Sequence, residues 1–300
     1  MNNFAPVVSR DGKQIFAIGA IPRGEVVRYD SSSRQFLPYL SGISAEDLDF
    51  SRDGQWVTYV AYPEGTLWRS KVDGSERRQL TFPPMQAFLP RWSPDGTRIA
   101  VNATVPGQRW RVYVVPTEGG APRRMTNGEG AEADAGWSPD GKSLVFGAVS
   151  FRQAQPAIHL LDWTTLQIST LPGSEGLFSP RWSPDGRYVA AKTADQAKLM
   201  LYDFRTEKWT KLAETTVTVG YPSWSRDGRY IYFDIGSATS PVFVRVRISD
   251  GKVEEVASLE DVRRAAGPFG QWAGLAPDGS PLVLRDTGTQ EIYALDVELP

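Results

Sequence analysis

The fold is decided by the stretch Pro90-Arg-Trp-Ser-Pro-Asp-Gly-Thr-Arg-Ile-Ala-Val-Asn102, in which a tryptophan, a four-residue turn and an alternating apolar run follow one another. In the turn Ser93–Gly96, proline holds φ at about −65°, aspartate caps the corner and glycine takes a positive φ. The alternation of apolar and polar residues after the turn is typical of a strand. The stretch therefore predicts two antiparallel strands joined by a tight turn.

The same turn recurs along the whole chain. Its seven copies end in glycines that lie 42, 42, 45, 45, 42 and 51 residues apart: Gly12, Gly54, Gly96, Gly141, Gly186, Gly228 and Gly279. Repeats of this length that hold four short strands are typical of propeller blades. The sequence therefore predicts an all-β fold, a seven-bladed β-propeller of four-stranded antiparallel blades that forms a single domain over residues 1–300. The expected blades span approximately residues 1–43, 44–84, 85–130, 131–174, 175–216, 217–260 and 261–300.

The repeated aspartates and tryptophans have a structural interpretation. An aspartate that recurs beside glycine in every copy is explained by turn chemistry better than by metal binding or catalysis. A tryptophan at one position per repeat is explained by packing between neighbouring sheets better than by ligand stacking. We therefore assign a turn-forming role to Asp11, Asp53, Asp95, Asp140, Asp185, Asp227 and Asp278.

The two ends of the chain predict an incomplete last blade. Met1–Asn3 lies where a fourth strand would just have ended, and the last copy stops after its third strand, Glu291–Val297. The missing outer strand would then lie upstream of Met1. We therefore expect a last blade of three strands with an exposed edge, and a chain that is monomeric or associates weakly through that edge.

The composition argues against several classes of function. The chain has a net charge of −2, no cysteine and a single histidine, His159. Without a basic excess, nucleic acid is not an expected partner, and without cysteine there is neither a disulfide nor a thiolate site. No apolar run approaches about 18 residues and no signal peptide is evident, so we expect no membrane contact by this domain itself.

Motifs of enzymes and cofactor sites are missing from the sequence as well. It contains neither a Gly-x-Ser-x-Gly elbow nor a phosphate-binding loop, and His159 alternates with apolar neighbours. Acidic residues near the expected channel are spread over several blades, whereas glycosidases hold two carboxylates about 5–10 Å apart. We therefore predict no catalytic residue, no metal and no cofactor, although a cation in the channel stays an open alternative.

Candidate ligand-binding residues lie just before or on the innermost strand of each repeat. In propellers this segment borders the central channel, and loops on a rigid scaffold often carry function. Arg91 and Arg181 occupy equivalent positions, so at least one of them can be a feature of the repeat alone. A mixture of aromatics, arginines and acids suits a peptide or protein segment. The candidates are Phe4, Glu46, Phe88, Arg91, Asp134, Phe178, Arg181, Tyr221, Phe269 and Trp272.

The unit Pro90–Thr126 resembles the WD40-like repeat of TolB propellers, which also occurs in the tricorn protease and in prolyl oligopeptidase-type peptidases. The resemblance extends over essentially the whole chain. A closer resemblance, carried by Leu171–Trp182 and Leu284–Asp296, is to the C-terminal propeller of bacterial signalling proteins that also contain a winged-helix or Ser/Thr kinase domain.

The resemblance implies a non-catalytic sensor or protein-interaction propeller, which is extracytoplasmic, or periplasmic, in its parent protein. The alternative is the substrate-gating propeller of a prolyl oligopeptidase- or tricorn-type peptidase that lacks its catalytic domain. A hydrolase or lyase that uses channel carboxylates is a third and weaker hypothesis, since one fold hosts many functions.

Overall fold

The computed structural model describes residues 6–40, 43–148, 156–236 and 240–296; Phe4 lies outside these ranges. The described chain is built from β-strands joined by turns and short loops, as the alternating sequence pattern predicts. It begins with β1 (Val7–Val8), β2 (Gln14–Ile21), β3 (Gly24–Asp30) and β4 (Gln35–Pro38).

The next twenty-one strands form five antiparallel sheets, which we name blades I to V in chain order. Blade I contains β5 (Ala45–Phe50), β6 (Trp56–Ala61), β7 (Thr66–Lys71) and β8 (Arg78–Gln79). Blade II contains β9 (Gln86–Trp92), β10 (Arg98–Thr104), β11 (Arg111–Pro116) and β12 (Arg123–Arg124). Blade III contains β13 (Glu132–Trp137), β14 (Ser143–Ala148), β15 (His159–Asp162) and β16 (Ile168–Thr170).

Blade IV contains β17 (Leu177–Trp182), β18 (Tyr188–Thr193), β19 (Lys198–Asp203) and β20 (Lys208–Glu214). In blade V the innermost strand is divided into β21 (Thr218–Val219) and β22 (Ser223–Trp224), followed by β23 (Tyr230–Gly236), β24 (Val242–Arg247) and β25 (Val253–Ser258). The chain ends with β26 (Ala273–Leu275), β27 (Pro281–Asp286) and β28 (Thr289–Asp296).

The sixth blade is built from both ends of the chain. Its strand order is β26-β27-β3-β4, so blade VI takes its two inner strands from the C-terminal region and its two outer strands from the N-terminal region. The strands that are left over, β1, β2 and β28, form a separate three-stranded sheet that we call the terminal ribbon.

The six blades close into a ring. Buried apolar clusters lie at each junction between neighbouring blades, including the junction between blade VI and blade I. Leu67 of blade I, for example, packs in one cluster with Ile99 of blade II, and both side chains are fully buried. Burying such a side chain contributes about 1.5–3 kcal/mol, so the stability of the ring comes from apolar packing between sheets.

The expectation of an all-β propeller is confirmed. The expected seven four-stranded blades are not, because the described residues form six blades and the three-stranded terminal ribbon, and the last blade also differs from its prediction. The described residues form six sheets with four strand positions and one sheet with three strands. The outer half of blade VI is supplied by Gly24–Pro38 of this same chain, so the expected three-stranded last blade with an open edge is wrong. The reason is that β2 does not fold back on β3, and β3 pairs with β27 instead.

The terminal ribbon continues the ladder that closes blade VI. Gly24 of β3 pairs with Asp286 of β27. Three residues away on both segments, Ile21 of β2 pairs with Thr289 of β28, so the pairing register is the same in blade VI and in the ribbon. The ring of Tyr293 lies where a side chain on Gly19 would be, and Leu284 lies in the same way over Gly24. Glycines on one strand thus match bulky residues on the other, which pins the register.

The terminal ribbon exposes apolar side chains to solvent. Ile292 is 76% exposed, and Phe16 and Ile18 on β2 are exposed as well. By contrast, Leu284, eight residues earlier on the same chain segment, is fully buried in blade VI. The energetic contribution of the C-terminal strands should therefore drop sharply where the ladder leaves the ring.

This drop can be measured with two matched substitutions. Leu284→Ala removes a fully buried side chain and should lower the free energy of unfolding by about 2–5 kcal/mol. Ile292→Ala changes an exposed side chain and should lower it by no more than about 0.5 kcal/mol. Urea denaturation of both variants provides the comparison. A large loss for Ile292→Ala would mean that β28 packs inside the ring, as a seventh blade would require.

Candidate functional site at the mouth of the central channel

The turn aspartates occupy local hydrogen-bond networks away from the channel. In six of the seven copies the serine hydroxyl donates to the turn aspartate, for instance Ser51 Oγ to Asp53 at 2.5 Å. The same Asp53 carboxylate accepts the backbone N–H of Gln55 at 3.0 Å. The serine hydroxyl holds the pKa of Asp53 below its usual value, so the group stays ionised as a turn cap.

A repeated β-bulge shapes the wall of the channel. The pairing registers of β5, β9, β13 and β17 each shift near their centre. One residue in each shift has a positive φ between 51° and 61°: Asp47, Leu89, Asp134 and Ser179. A bulge re-aims the side chain of the extra residue, and the contacts below show that these residues bond to the neighbouring blade.

Hydrogen bonds between bulges join the blades around the channel. Asp47 in blade I accepts the N–H of Leu89 in blade II at 2.9 Å. Asn102 in blade II accepts the N–H of Asp134 in blade III at 2.6 Å, and Asp134 accepts the hydroxyl of Ser179 in blade IV at 2.5 Å. The first two of these bonds satisfy buried backbone N–H groups of bulge residues, and the third joins two buried side chains.

Asp134 and Arg181 form a buried ion pair in this ring. The Arg181 Nη1 lies 2.5 Å from the Asp134 Oδ1, and each side chain is only 8% exposed. Burial acts to raise the pKa of Asp134, but the charges of Arg181 and Arg91 outweigh it and hold this pKa below its usual value. The Arg181 guanidinium also donates to the carbonyls of Pro180 and Pro222. The Arg181 charge is therefore compensated within the chain through Nε and Nη1, whereas its Nη2 is buried without a hydrogen-bond partner.

A second buried ion pair joins blade V to the loop before blade VI. Arg264 Nη1 donates to the Asp234 carboxylate at 2.8 Å, with side-chain exposures of 3% and 7%. Lys192 lies nearby as a buried cation, donates to the Val219 carbonyl at 3.1 Å and stands 4.9 Å from the ring of Phe178. Burial lowers the pKa of Lys192 to about 8. Arg264 and Lys192 thus form hydrogen bonds within the wall of the channel.

Glu46 is an acid held in a neutral form. It is 3% exposed on β5, and a side chain on Gly267 would collide with its carboxyl group. Burial, together with the neighbouring charge of Asp47, raises the pKa of Glu46 to about 9. Burial likewise raises the pKa of Asp47 to about 6. At neutral pH the Glu46 carboxyl is therefore protonated beneath the turn that contains Gly267.

An aromatic cluster lies over the mouth of the channel. The rings of Phe88, Trp110 and Phe269 meet edge to face, with centroids 5.3 to 5.6 Å apart. Tyr221 contributes its hydroxyl, which donates to the carbonyl of Phe269 at 2.7 Å. Phe88 and Trp110 belong to blade II, Tyr221 to blade V and Phe269 to the loop before blade VI, so this cluster bridges the opening from several sides.

The residues proposed from the sequence divide into three groups in the structure. Glu46, Arg91, Asp134 and Arg181 form the charged wall of innermost strands, and Phe178 packs against Lys192. Phe88, Tyr221 and Phe269 come together in the aromatic cluster. Trp272 is 3% exposed and packs in the core between blades VI and I.

Several residues of the site are not among those proposed from the sequence. Asn102, Lys192 and Asp234 lie on second strands, and Trp110 and Arg264 lie in loops. The signal for the first three is a single polar residue inside an apolar strand, as Asn102 is in Ile99–Ala103. A buried polar side chain in such a run needs a partner, which points to the neighbouring blade.

The described ranges hold no group of three or more histidine, aspartate or glutamate side chains arranged for a metal ion. Within the same ranges the structure has no helix that is long and apolar enough to cross a membrane.

The raised pKa of Glu46 predicts a pH dependence of stability. Between about pH 4.5 and about pH 9 the folded chain keeps a proton on Glu46 that the unfolded chain releases, so stability should fall as the pH rises through this window. Glu46→Gln keeps the shape of the side chain but cannot ionise, so its stability should depend less on pH, and it should exceed wild type above pH 8. Denaturation midpoints at pH 5, 7 and 9 test this. Parallel pH profiles of the two chains would contradict it.

Removal of one charge from the buried pair should be costly. Asp134→Ala leaves the Arg181 charge buried without its partner, so the free energy of unfolding should fall by about 3–5 kcal/mol. Asp140→Ala, in an exposed turn of the same blade, should cost only about 0.5–1.5 kcal/mol, the contribution of its hydrogen bonds. Denaturation at pH 7 compares the variants, and equal losses would show that the ion pair contributes little.

The sequence matches one known domain family and is similar to several curated proteins. Residues 44–149 match the TolB beta propeller domain family. The chain is 25% identical over 242 residues to an uncharacterized protein of Agrobacterium fabrum, covering 77% of this chain and 80% of that protein. It is 31% identical over 258 residues to Tricorn protease homolog 1 of Streptomyces coelicolor, covering 81% of this chain but only 23% of the homologue.

Solved structures share the fold at low sequence identity. A protein assigned as TolB from Agrobacterium tumefaciens has a TM-score of 0.69 at 21% identity, covering 89% of this chain and 99% of its own. TolB from Acinetobacter baumannii gives 0.62 at 17%, with coverages of 95% and 66%. The oligogalacturonate lyase of Vibrio parahaemolyticus gives 0.61 at 11%, with coverages of 94% and 89%. The chain therefore has the β-propeller fold of these structures, and its residues 44–149 match the TolB beta propeller domain.

Proposed function

We propose that this domain is a non-catalytic propeller module that binds a protein or peptide segment at the mouth of its channel. The observation that carries the proposal is the aromatic cluster of Phe88, Trp110 and Phe269 beside the hydroxyl of Tyr221. Aromatic residues are enriched in the binding regions of protein interfaces, where they supply apolar area together with a polar handle.

The charged wall below the mouth supports binding more than catalysis. A general acid or base needs a position within reach of a substrate, and a catalytic pair needs groups that are not engaged elsewhere. Asp134 and Asp234 are each neutralised by a buried arginine, and Asp47 accepts a backbone N–H. Glu46 is covered by Gly267. The three aspartates are thus engaged in contacts with neighbouring segments, which leaves the mouth as the surface for recognition.

By the resemblance described above, the module acts as a sensor within a larger bacterial signalling protein and operates outside the cytoplasm. A second candidate is the substrate-gating propeller of a tricorn-type peptidase, which the 81% coverage of this chain by the tricorn homologue favours. This chain corresponds to less than a quarter of that homologue. The activity of a tricorn-type peptidase therefore belongs to a complete protein and not to this propeller alone. The domain that adjoins this propeller in its gene distinguishes the candidates: a hydrolase domain supports gating, and a kinase or winged-helix domain supports sensing.

Selection of peptides against the folded chain tests the binding proposal. Peptides enriched from a phage-displayed random library should bind at the channel mouth because it presents the aromatic cluster. Hydrogen–deuterium exchange with a bound synthetic peptide should then show protection in residues 86–92, which include Phe88 of the aromatic cluster. An open groove of about 620 Å³ on the outer rim, lined by Arg78–Phe82 and Glu118–Pro122, is the internal control and should keep its exchange rates.

A pair of arginine variants completes this test. Arg91→Ala removes a channel cation from blade II and should weaken binding of the selected peptides by about tenfold or more, the loss of one good polar contact. Arg78→Ala alters the outer groove and should leave binding unchanged. Protection of the outer groove, or hydrolysis of the bound peptides, would overturn the proposal of a non-catalytic channel-mouth site.

A further inference from the structure

The loop between β25 and β26 carries a turn across the channel mouth. This loop accounts for the longest spacing between turn glycines, 51 residues against 42 or 45 elsewhere. Its tip is Gly267-Pro-Phe-Gly270, in which the two glycines exchange backbone hydrogen bonds of 3.0 and 3.1 Å. Pro268 and Gly270 are exposed, and Phe269 at the apex is half-buried.

The base of this turn is fastened firmly to blade VI. Ala265 donates its N–H to the Leu284 carbonyl at 3.0 Å, and Asp286 donates to the Arg263 carbonyl at 2.7 Å. Arg264 spans the two arms of the loop, since it pairs with Asp234 and also donates to the carbonyl of Gln271 at 3.0 Å. The anchored part of the loop therefore ends where the tip begins.

The tip is held at the mouth by contacts of a different kind. The Phe269 ring lies 5.6 Å from Phe88 and 5.3 Å from Trp110, which belong to blade II, on the far side of blade I. Tyr221 donates to the Phe269 carbonyl. The tip is thus held by one aromatic ring in an aromatic pocket and by one hydrogen bond to a main-chain carbonyl, and neither contact depends on the identity of the chain that supplies it.

We propose that the channel mouth is a receptor for an aromatic residue presented at a tight turn of a partner protein, and that the chain occupies this receptor with its own Gly267–Gly270 turn. The partner segment replaces the Phe269 ring between Phe88 and Trp110 and accepts the Tyr221 hydroxyl with a main-chain carbonyl. The chain's own turn competes at a high effective concentration, so it sets a threshold for partner binding. This inference rests on the proposed binding function and specifies its partner class.

A cyclic hexapeptide that presents Gly-Pro-Phe-Gly tests the inference, with the same cycle carrying Ala in place of Phe as the matched ligand control. Phe269→Ala empties the aromatic pocket and should bind the Phe peptide at least about tenfold more tightly than wild type does, because the self-occupied state no longer competes. NMR titration of the tryptophan indole signals gives both affinities. The Ala peptide should bind neither chain measurably better than the other.

A second variant acts on the turn without removing a packed side chain. Gly270 has φ of +97° and open space around it, so Gly270→Ala strains the closed turn and should also raise the affinity for the Phe peptide. Gly279→Ala is its control, since Gly279 has φ of +85° and open space in the turn between β26 and β27, outside the mouth. That variant should bind as wild type does.

The outcomes separate this inference from the proposed function. Tighter binding to Phe269→Ala and Gly270→Ala, but not to Gly279→Ala, supports self-occupation of the receptor. Equal affinities of wild type and both turn variants for the Phe peptide would overturn it, and so would equal binding of the Phe and Ala peptides. If library-selected peptides still protect the mouth in that case, the binding function stands and only its self-occupation fails.

Discussion

The antiparallel pairing of β3 with β27 is the interaction on which the rest of the molecule depends. It joins residues about 260 positions apart, Arg28 with Leu282 and Gly24 with Asp286, and so closes a ring that is otherwise built from consecutive segments. The closure buries Val27 and Val283 completely and creates the apolar junctions of blade VI with blades V and I. Without it, two neighbouring blades would each present an apolar face to water, at a cost of about 25 cal/mol for each Å².

The same strand also determines where the candidate site is covered. Leu284 and Asp286 on β27 form the hydrogen bonds that anchor residues 263–265, and this anchor directs the Gly267–Gly270 turn over the channel. Beyond Asp286 the ladder leaves the ring and continues as the terminal ribbon, whose exposed β28 makes no comparable junction with a blade. Ring closure, the covering turn and the projecting ribbon are therefore consequences of one pairing.

Local chemistry in the sequence predicted the repeating unit well, because each Ser-x-Asp-Gly turn is decided by residues within a few positions of one another. Local chemistry does not determine the pairing partner of β3 (Gly24–Asp30). A hairpin with β2 and a ladder with β27 would both satisfy the alternating pattern of β3. The site shows the same division. Residues on or just before the innermost strands, such as Asp134 and Phe269, were predictable from their place in the repeat. Lys192 and Asp234 were not, because their role depends on contacts across blades.

The charged residues of the channel wall and the aromatic residues of the channel mouth therefore have different roles. Its buried charges are matched within the chain, and a matched buried pair resists change because removing one partner leaves the other uncompensated. At the mouth, the half-buried Phe269 packs against the buried ring of Phe88, and its turn has open space around Gly270. Exchanging one aromatic occupant for another therefore leaves no charge unpaired. A propeller built in this way can keep a rigid channel wall and still have a replaceable turn, Gly267–Gly270, over the channel mouth. Displacing this turn costs a binding partner less free energy than breaking a buried ion pair of the wall.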